Sequence, residues 1–224
     1  HPTSKDVVIE IGSKTGSYTS ALQQNCDCNV TGLDTSAAMV EYASKKYPNC
    51  KFVQGDPLDF MRFSSEYATA ILLLDFAIYY IKDRRTLFYN CFHWLKPGGY
   101  LVLHLVNRHM FDPIVPAAKP FTLVSPQSVA KQRITTSEVV FDKFDYKSKF
   151  EFDQGEKNDG VTIIETMKDR RGKVRKNVRS LRMSGQKIII GEAKDAGFTM
   201  LGQYDLIKSQ REYQYIYILY KPSN

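Results

Sequence analysis

No apolar run in the 224-residue chain approaches the roughly 18 residues that a membrane helix needs, so the sequence offers no candidate for one. The opening residues, His1-Pro2-Thr3-Ser4-Lys5-Asp6, lack the apolar core of a secretory signal. Cysteine is scarce, with four residues: Cys26, Cys28, Cys50 and Cys91. Cys26 and Cys28 form a C-x-C pair, but no second pair stands at zinc spacing. No metal is therefore expected, and reduced thiols in a cytoplasmic protein are the simpler expectation. Acid is missing from one stretch in particular. Between Lys168 and Lys187 stand nine basic residues against Asp169 alone, a local excess larger than the +7 net charge of the whole chain. The basicity thus belongs to one surface, and the remainder is close to neutral. Internal repeats and low-complexity segments are absent.

What is present has the composition of an ordinary soluble domain, 43% hydrophobic and 25% charged. The length suits one domain, or one domain with a large insertion. Val7 to Ile11 is a β-branched run that ends in the turn Gly12-Ser13-Lys14-Thr15-Gly16, and a helical stretch continues to about Gln24. Asn29 to Leu33 reads as a second strand ending at Asp34. Ser36 to Lys46 reads as a helix that Thr35 or Ser36 could cap. Lys51 to Gln54 is a third strand, ending at Gly55-Asp56-Pro57. The wholly apolar run Ala70 to Leu74 suits a strand buried on both faces. Arg84 to Leu95 reads as a helix that Lys96-Pro97-Gly98-Gly99 stops, with Tyr100 to Val106 as the next strand. This alternation predicts βαβ units and a parallel sheet, whose ligands bind beyond the carboxyl ends of its strands. Glu10, Asp34, Asp56, Asp75 and Asn107 fall at or just after strand ends.

The pattern changes after about Met110. Pro113, Pro116, Pro120 and Pro126 punctuate a loop region. Val139 to Phe152 then alternates, and Val161 to Met167 and Lys173 to Met183 read as strands joined by Asp169-Arg170-Arg171-Gly172. An antiparallel β layer inserted at 111–183 is expected, leaving 1–110 and 184–224 as the core. Gln186 to Ala196 returns to helix and stops at Gly197. Phe198 to Ile207 and Tyr213 to Tyr220 read as a closing strand pair.

Gly12-Ser13-Lys14-Thr15-Gly16 is neither a dinucleotide G-x-G-x-x-G nor a phosphate-binding P-loop, and alone it specifies little. Its meaning comes from the acidic residues at the later strand ends. A carboxylate at Asp34 can accept from both hydroxyls of a ribose, and one at Asp56 from an adenine amino group. Asp34 alone could equally be a helix cap. The successive pieces E-I-G-S-K-T-G, G-L-D-T-S-A-A-M-V-E-Y-A, Q-G-D-P-L-D-F and W-L-K-P-G-G-Y-L-V-L together resemble the core of the class I S-adenosylmethionine-dependent methyltransferases. The closing A-K-D-A-G-F and its two strands resemble the end of that family.

The resemblance implies a Rossmann-like, mostly parallel seven-stranded α/β sheet with helices on both faces. It implies S-adenosylmethionine as methyl donor, with S-adenosylhomocysteine as product and no metal. Glu10, Gly12, Ser13, Lys14 and Gly16 would shape the site for the donor's methionine part. Asp34 with Thr35 would hold the ribose, Asp56, Pro57 and Leu58 the adenine, and Leu74 and Asp75 would complete the site. Lys14 is a departure, because the family has glycine there. Three readings stand: a side chain pointing outward, an ammonium that meets the donor's carboxylate, or a loop weakened enough to leave a non-catalytic relative.

Methyl transfer needs a nucleophile held in line and water excluded, with a proton acceptor where the nucleophile is protonated. The catalytic candidates are His109, Tyr79 and Tyr80, and the two tyrosines are equally suited to packing. His104, inside an apolar strand, reads as a core histidine. Asn107, Arg108, Arg175 and Arg179 are the substrate candidates. The placement of the inserted layer resembles the lid of small-molecule N-methyltransferases of the amino-sugar and glycine type, which implies a small acceptor methylated at nitrogen and bearing a sugar or phosphate. The basic hairpin supports three readings: a solvated face, a rim that attracts a phosphorylated or nucleotide-linked acceptor, and a grip for nucleic acid or protein. It lacks the interleaved aromatics of a base-stacking platform.

Overall fold

The computed structural model describes residues 3–114, 127, 130–154 and 158–223. The chain runs β1 (Val7–Ile11), α1 (Ser17–Asn25), β2 (Asn29–Asp34), α2 (Ala37–Lys46), β3 (Lys51–Gln54), β4 (Ala68–Leu73), α3 (Ala77–Tyr80), α4 (Arg84–Trp94) and β5 (Leu95–Val106). It continues β6 (Thr136–Val140), β7 (Phe144–Phe152), β8 (Gly160–Asp169), β9 (Val174–Arg182), α5 (Gln186–Asp195), β10 (Thr199–Leu206) and β11 (Arg211–Tyr220). Contacts divide it into two units: 1–105 with 186–204 and 215–224, and 106–185 with 205–214.

The first unit is built on a seven-stranded sheet in the order β10-β11-β5-β4-β1-β2-β3. β1 pairs in parallel with β2 on one side and β4 on the other, and β2–β3 and β4–β5 are parallel as well. The chain therefore leaves β1 in one direction, returns to its other side, and creates a switch point between β1 and β4. At such a point the diverging connections leave a crevice outside the carboxyl ends. The strands form because apolar, β-branched runs bury both faces: Ile9, Leu33, Ile71 and Leu73 are all fully buried. Ser36 caps α2 by accepting from Met39 N, and Asp83 caps α4 by accepting from Thr86 N. Leu87, Cys91 and Trp94 lie on one stripe of α4 and are fully buried. Arg84 on that helix donates through Nε to Glu192 on α5 at 2.7 Å.

The second unit holds a four-stranded antiparallel sheet, β6-β7-β8-β9. Val161, Ile163 and Leu181 are buried in it, and Phe111 packs edge-on to Phe150 and Phe152.

Two sequence expectations need correction. Val139 to Phe152 is not one strand but a hairpin, because Phe141 N donates to Phe144 O and turns the chain. Alternation carries no sign of strand direction, so it did not reveal the reversal. Lys96-Pro97-Gly98-Gly99 does not separate α4 from the next strand but forms the first part of β5. Leu95 pairs with Ala68, the register then shifts, and Gly98 N donates to Lys221 O at 2.8 Å. The irregularity absorbs the proline, which has no N–H to give, and Gly98 at φ 75°. The expected loop around Pro116, Pro120 and Pro126 lies outside the described residues.

Candidate active site

The turn after β1 folds back onto β2. Gly12 N and Ser13 N both donate to Leu33 O, at 2.8 and 3.1 Å. Lys14 N donates to Asp34 Oδ2 at 2.8 Å, and Ser36 N donates to Asp34 Oδ1 at 2.9 Å. Gly55 N donates to Asp34 O at 3.0 Å, which ties the end of β3 to the same point. The tips of three adjacent strands are thereby stitched into one ledge. Gly12 and Gly16 have φ of 76° and 80°, and Lys14 has φ of 51°. A Cβ on Gly16 would come within 2.5 Å of the Phe52 ring, so backbone shape and packing both demand glycine there.

Asp56 accepts from Leu58 N at 2.9 Å and is exposed. Its loop is anchored from below, since buried Asn90 on α4 donates to Pro57 O at 3.0 Å. The sequence reading missed Asn90. Its signal was an amide among the buried positions of an otherwise apolar helix stripe, which needs a buried acceptor.

Glu10 is 2% exposed, and Thr19 on α1 donates its hydroxyl to Glu10 Oε2. Burial pushes the Glu10 carboxyl up to about 7, partly opposed by the Thr19 hydroxyl. Thr19 was also missed, although a fully buried threonine in a short polar helix is a sign of an internal acceptor. Ser13 is 4% exposed, and its Cβ lies against Gly32 on β2, so only its backbone belongs to the ledge.

Across the switch point, Asp75 follows Leu74 at the end of β4. Lys14 does not point outward: its Nζ donates to Asp75 O and to Asp75 Oδ2, each at 2.7 Å. Asp75 N in turn donates to Nδ1 of His104 at 3.1 Å. His104 is buried on β5, its ring stacks on Phe76, and the bond fixes Nδ1 as the acceptor nitrogen. The core histidine foreseen from the apolar strand thus also positions the end of β4. Tyr79 is buried at 1% exposure, the packing alternative of the two left open, whereas Tyr80 is 36% exposed with its ring centroid 5.8 Å from Lys14 Nζ.

The remaining candidates belong to the second unit. Asn107 N donates to Tyr213 O, and Asn107 Oδ1 accepts from His109 N. His109 lines a cavity of about 330 Å³ with Asp112, Gln127, Arg133, Glu212 and Tyr213. Arg108 is committed to the carbonyls of Asp153 and Gly160, both at 3.1 Å, and its guanidinium lies 5.6 Å from the Phe152 ring centroid. On β9, Arg175 bonds Asn177, and Arg179 pairs with Glu165. Arg170 and Arg182 of the same basic stretch pair with Asp145 and Asp159. The hairpin is therefore partly neutralised from within its own sheet.

Residues 9–103 match the methyltransferase domain family. The chain is 28% identical over 104 residues to a trans-aconitate 2-methyltransferase of Escherichia coli O157:H7, covering 46% of this chain and 40% of that enzyme. The matched region thus spans two-fifths of the length of such curated relatives. The fold is similar to that of an S-adenosylmethionine-dependent methyltransferase from Clostridium acetobutylicum, at TM-score 0.72 and 15% identity, covering 97% of this chain and 85% of that one. It is also similar to CalS10, an amino pentose methyltransferase from Micromonospora echinaspora, at TM-score 0.68 and 17% identity, covering 96% and 83%. Residues 9–103 thus match a methyltransferase domain, and the chain shares the fold of S-adenosylmethionine-dependent methyltransferases.

Proposed function

We propose that the chain transfers a methyl group from S-adenosylmethionine to a small-molecule acceptor, at nitrogen. The observation that carries this is the ledge at the carboxyl ends of β1, β2 and β3, where the Gly12–Gly16 turn bonds directly to Asp34. The residues fit the donor. Each Asp34 carboxylate oxygen accepts one backbone N–H and keeps a second lone pair for a ribose hydroxyl. Asp56 and Leu58 stand at the next strand end for the adenine, Pro57 between them is held by Asn90, and Thr35 continues the ribose side. Glu10, Gly12, Gly16, Leu74 and Asp75 frame the amino-acid end. The donor, when bound, supplies an electrophilic methyl group on sulfur, and the protein has to orient the acceptor and exclude water.

On the acceptor side, His109 is the proposed acid–base or substrate contact. CalS10 acts on an amino pentose, which favours a sugar-borne nitrogen. Trans-aconitate, a carboxylic acid, is the substrate named for the curated relatives and stands as the second acceptor class. Calorimetry with S-adenosylmethionine and S-adenosylhomocysteine, followed by an acceptor screen with methyl-labelled donor, tests the reading. Binding of both nucleosides with label transfer to an amino sugar is expected. Label transfer to a carboxylate would move the methylated atom to oxygen, and failure to bind either nucleoside would remove the enzyme.

A further inference from the structure

The ledge contains an ion pair of its own. Lys14 stands in the glycine turn with a left-handed backbone, and Asp75 and Phe76 opposite it are left-handed too, at φ of 46° and 66°. Three consecutive contacts define the arrangement: Lys14 Nζ to Asp75 O, Lys14 Nζ to Asp75 Oδ2, and Asp75 N to His104 Nδ1. Asp75 therefore offers a carbonyl and a carboxylate oxygen, both at 2.7 Å, to a single ammonium group. That pair of acceptors would suit any alkylammonium. Lys14 and Asp75 are anchored differently. Asp75 is tethered by the buried His104 on β5, while Lys14 reaches it over a flexible four-carbon stem. The pair is about one-third exposed, so it can be opened from solvent.

We infer that Lys14 is a specificity-determining residue for the donor's amino-acid end, acting as an internal stand-in for its α-ammonium. In the free protein the Lys14 ammonium sits on Asp75. When the donor enters, its α-ammonium takes the Asp75 oxygens, and the displaced Lys14 ammonium pairs with the donor's α-carboxylate. Charges match before and after the exchange, so no ion is left without a counter-ion. The Tyr80 ring, 5.8 Å from Nζ, gives the ammonium a second neighbour along the way. The inference rests on the donor reading under Proposed function. It makes the site selective for a zwitterionic tail over a tail with only the amine.

Calorimetric titration of the full chain and of Lys14→Met tests this with three adenosine ligands: S-adenosylhomocysteine, its decarboxylated analogue, and 5′-methylthioadenosine. The wild type should prefer S-adenosylhomocysteine over the decarboxylated analogue by about ten-fold or more, and Lys14→Met should shrink that preference to about three-fold or less. Methylthioadenosine, with no charged tail, should bind both proteins alike, which also shows that the variant is folded. Lys14→Gly, which relieves the left-handed backbone and removes the same ammonium, should behave as Lys14→Met does. Asp75→Asn should weaken both amine-bearing ligands by about five-fold or more and spare methylthioadenosine. An unchanged preference in Lys14→Met, with methylthioadenosine still bound, overturns the exchange and leaves the donor site standing. Binding of none of the three ligands overturns both.

Discussion

At the scale of single residues, the site is governed by groups whose surroundings set their state. Glu10 is buried against Thr19 and carries its proton up to about pH 7. In the unfolded chain the carboxyl loses that proton near its ordinary value of 4.5. Below both values the two states are equally protonated. As pH rises between them the unfolded state ionises first, so stability falls through that window by an amount on the order of 3 kcal/mol. Glu10→Gln keeps the shape and removes the titration. Urea denaturation should show the variant gaining on the wild type from about pH 5 to about pH 8, and a constant gap between them would show that Glu10 does not titrate there. Glu10 was legible in the sequence from its place at the end of β1. Its protonation state was not, because that depends on a partner from another element. His104 shows the same split: its burial followed from the apolar strand, but its bond to Asp75 N needed the parallel pairing of β4 with β5.

At the scale of elements, the sequence located almost every strand and helix of the first unit, since β-branched runs, caps and glycine stops are local signals. The two corrections both concern pairing. The β6–β7 reversal and the early start of β5 are decided by which chain lies alongside, and no periodicity reports that. The glycine turn is an element whose geometry can be broken by one methyl group. Gly16→Ala forces a side chain into the left-handed region and against Phe52 and Ala43. It should lower stability by about 2–3 kcal/mol, read as a shifted denaturation midpoint. The loop after β3 depends on α4 in the same way. Asn90→Leu leaves Pro57 O without its buried donor and should cost about 1–3 kcal/mol, while Asn90→Asp keeps the size and still loses the donated bond.

At the scale of the whole molecule, the positive charge gathers on the β8–β9 hairpin of the second unit, while the proposed donor ledge lies in the first. Three of the hairpin's arginines are spent on Asp145, Glu165 and Asp159. Arg175→Ala with Arg179→Ala should therefore leave affinity for S-adenosylhomocysteine unchanged within about two-fold. A salt-sensitive loss of RNA binding in that variant would instead favour a nucleic-acid acceptor. The proposed function stands or falls on a nucleoside resting on the tips of β1, β2 and β3, with Asp34 at its ribose. The decisive experiment is titration of S-adenosylhomocysteine into the wild type and into Asp34→Ala. Saturable one-to-one binding by the wild type is expected, with a loss of about ten-fold or more in the variant. Equal affinities in the two proteins, or no binding by either, would refute the donor ledge.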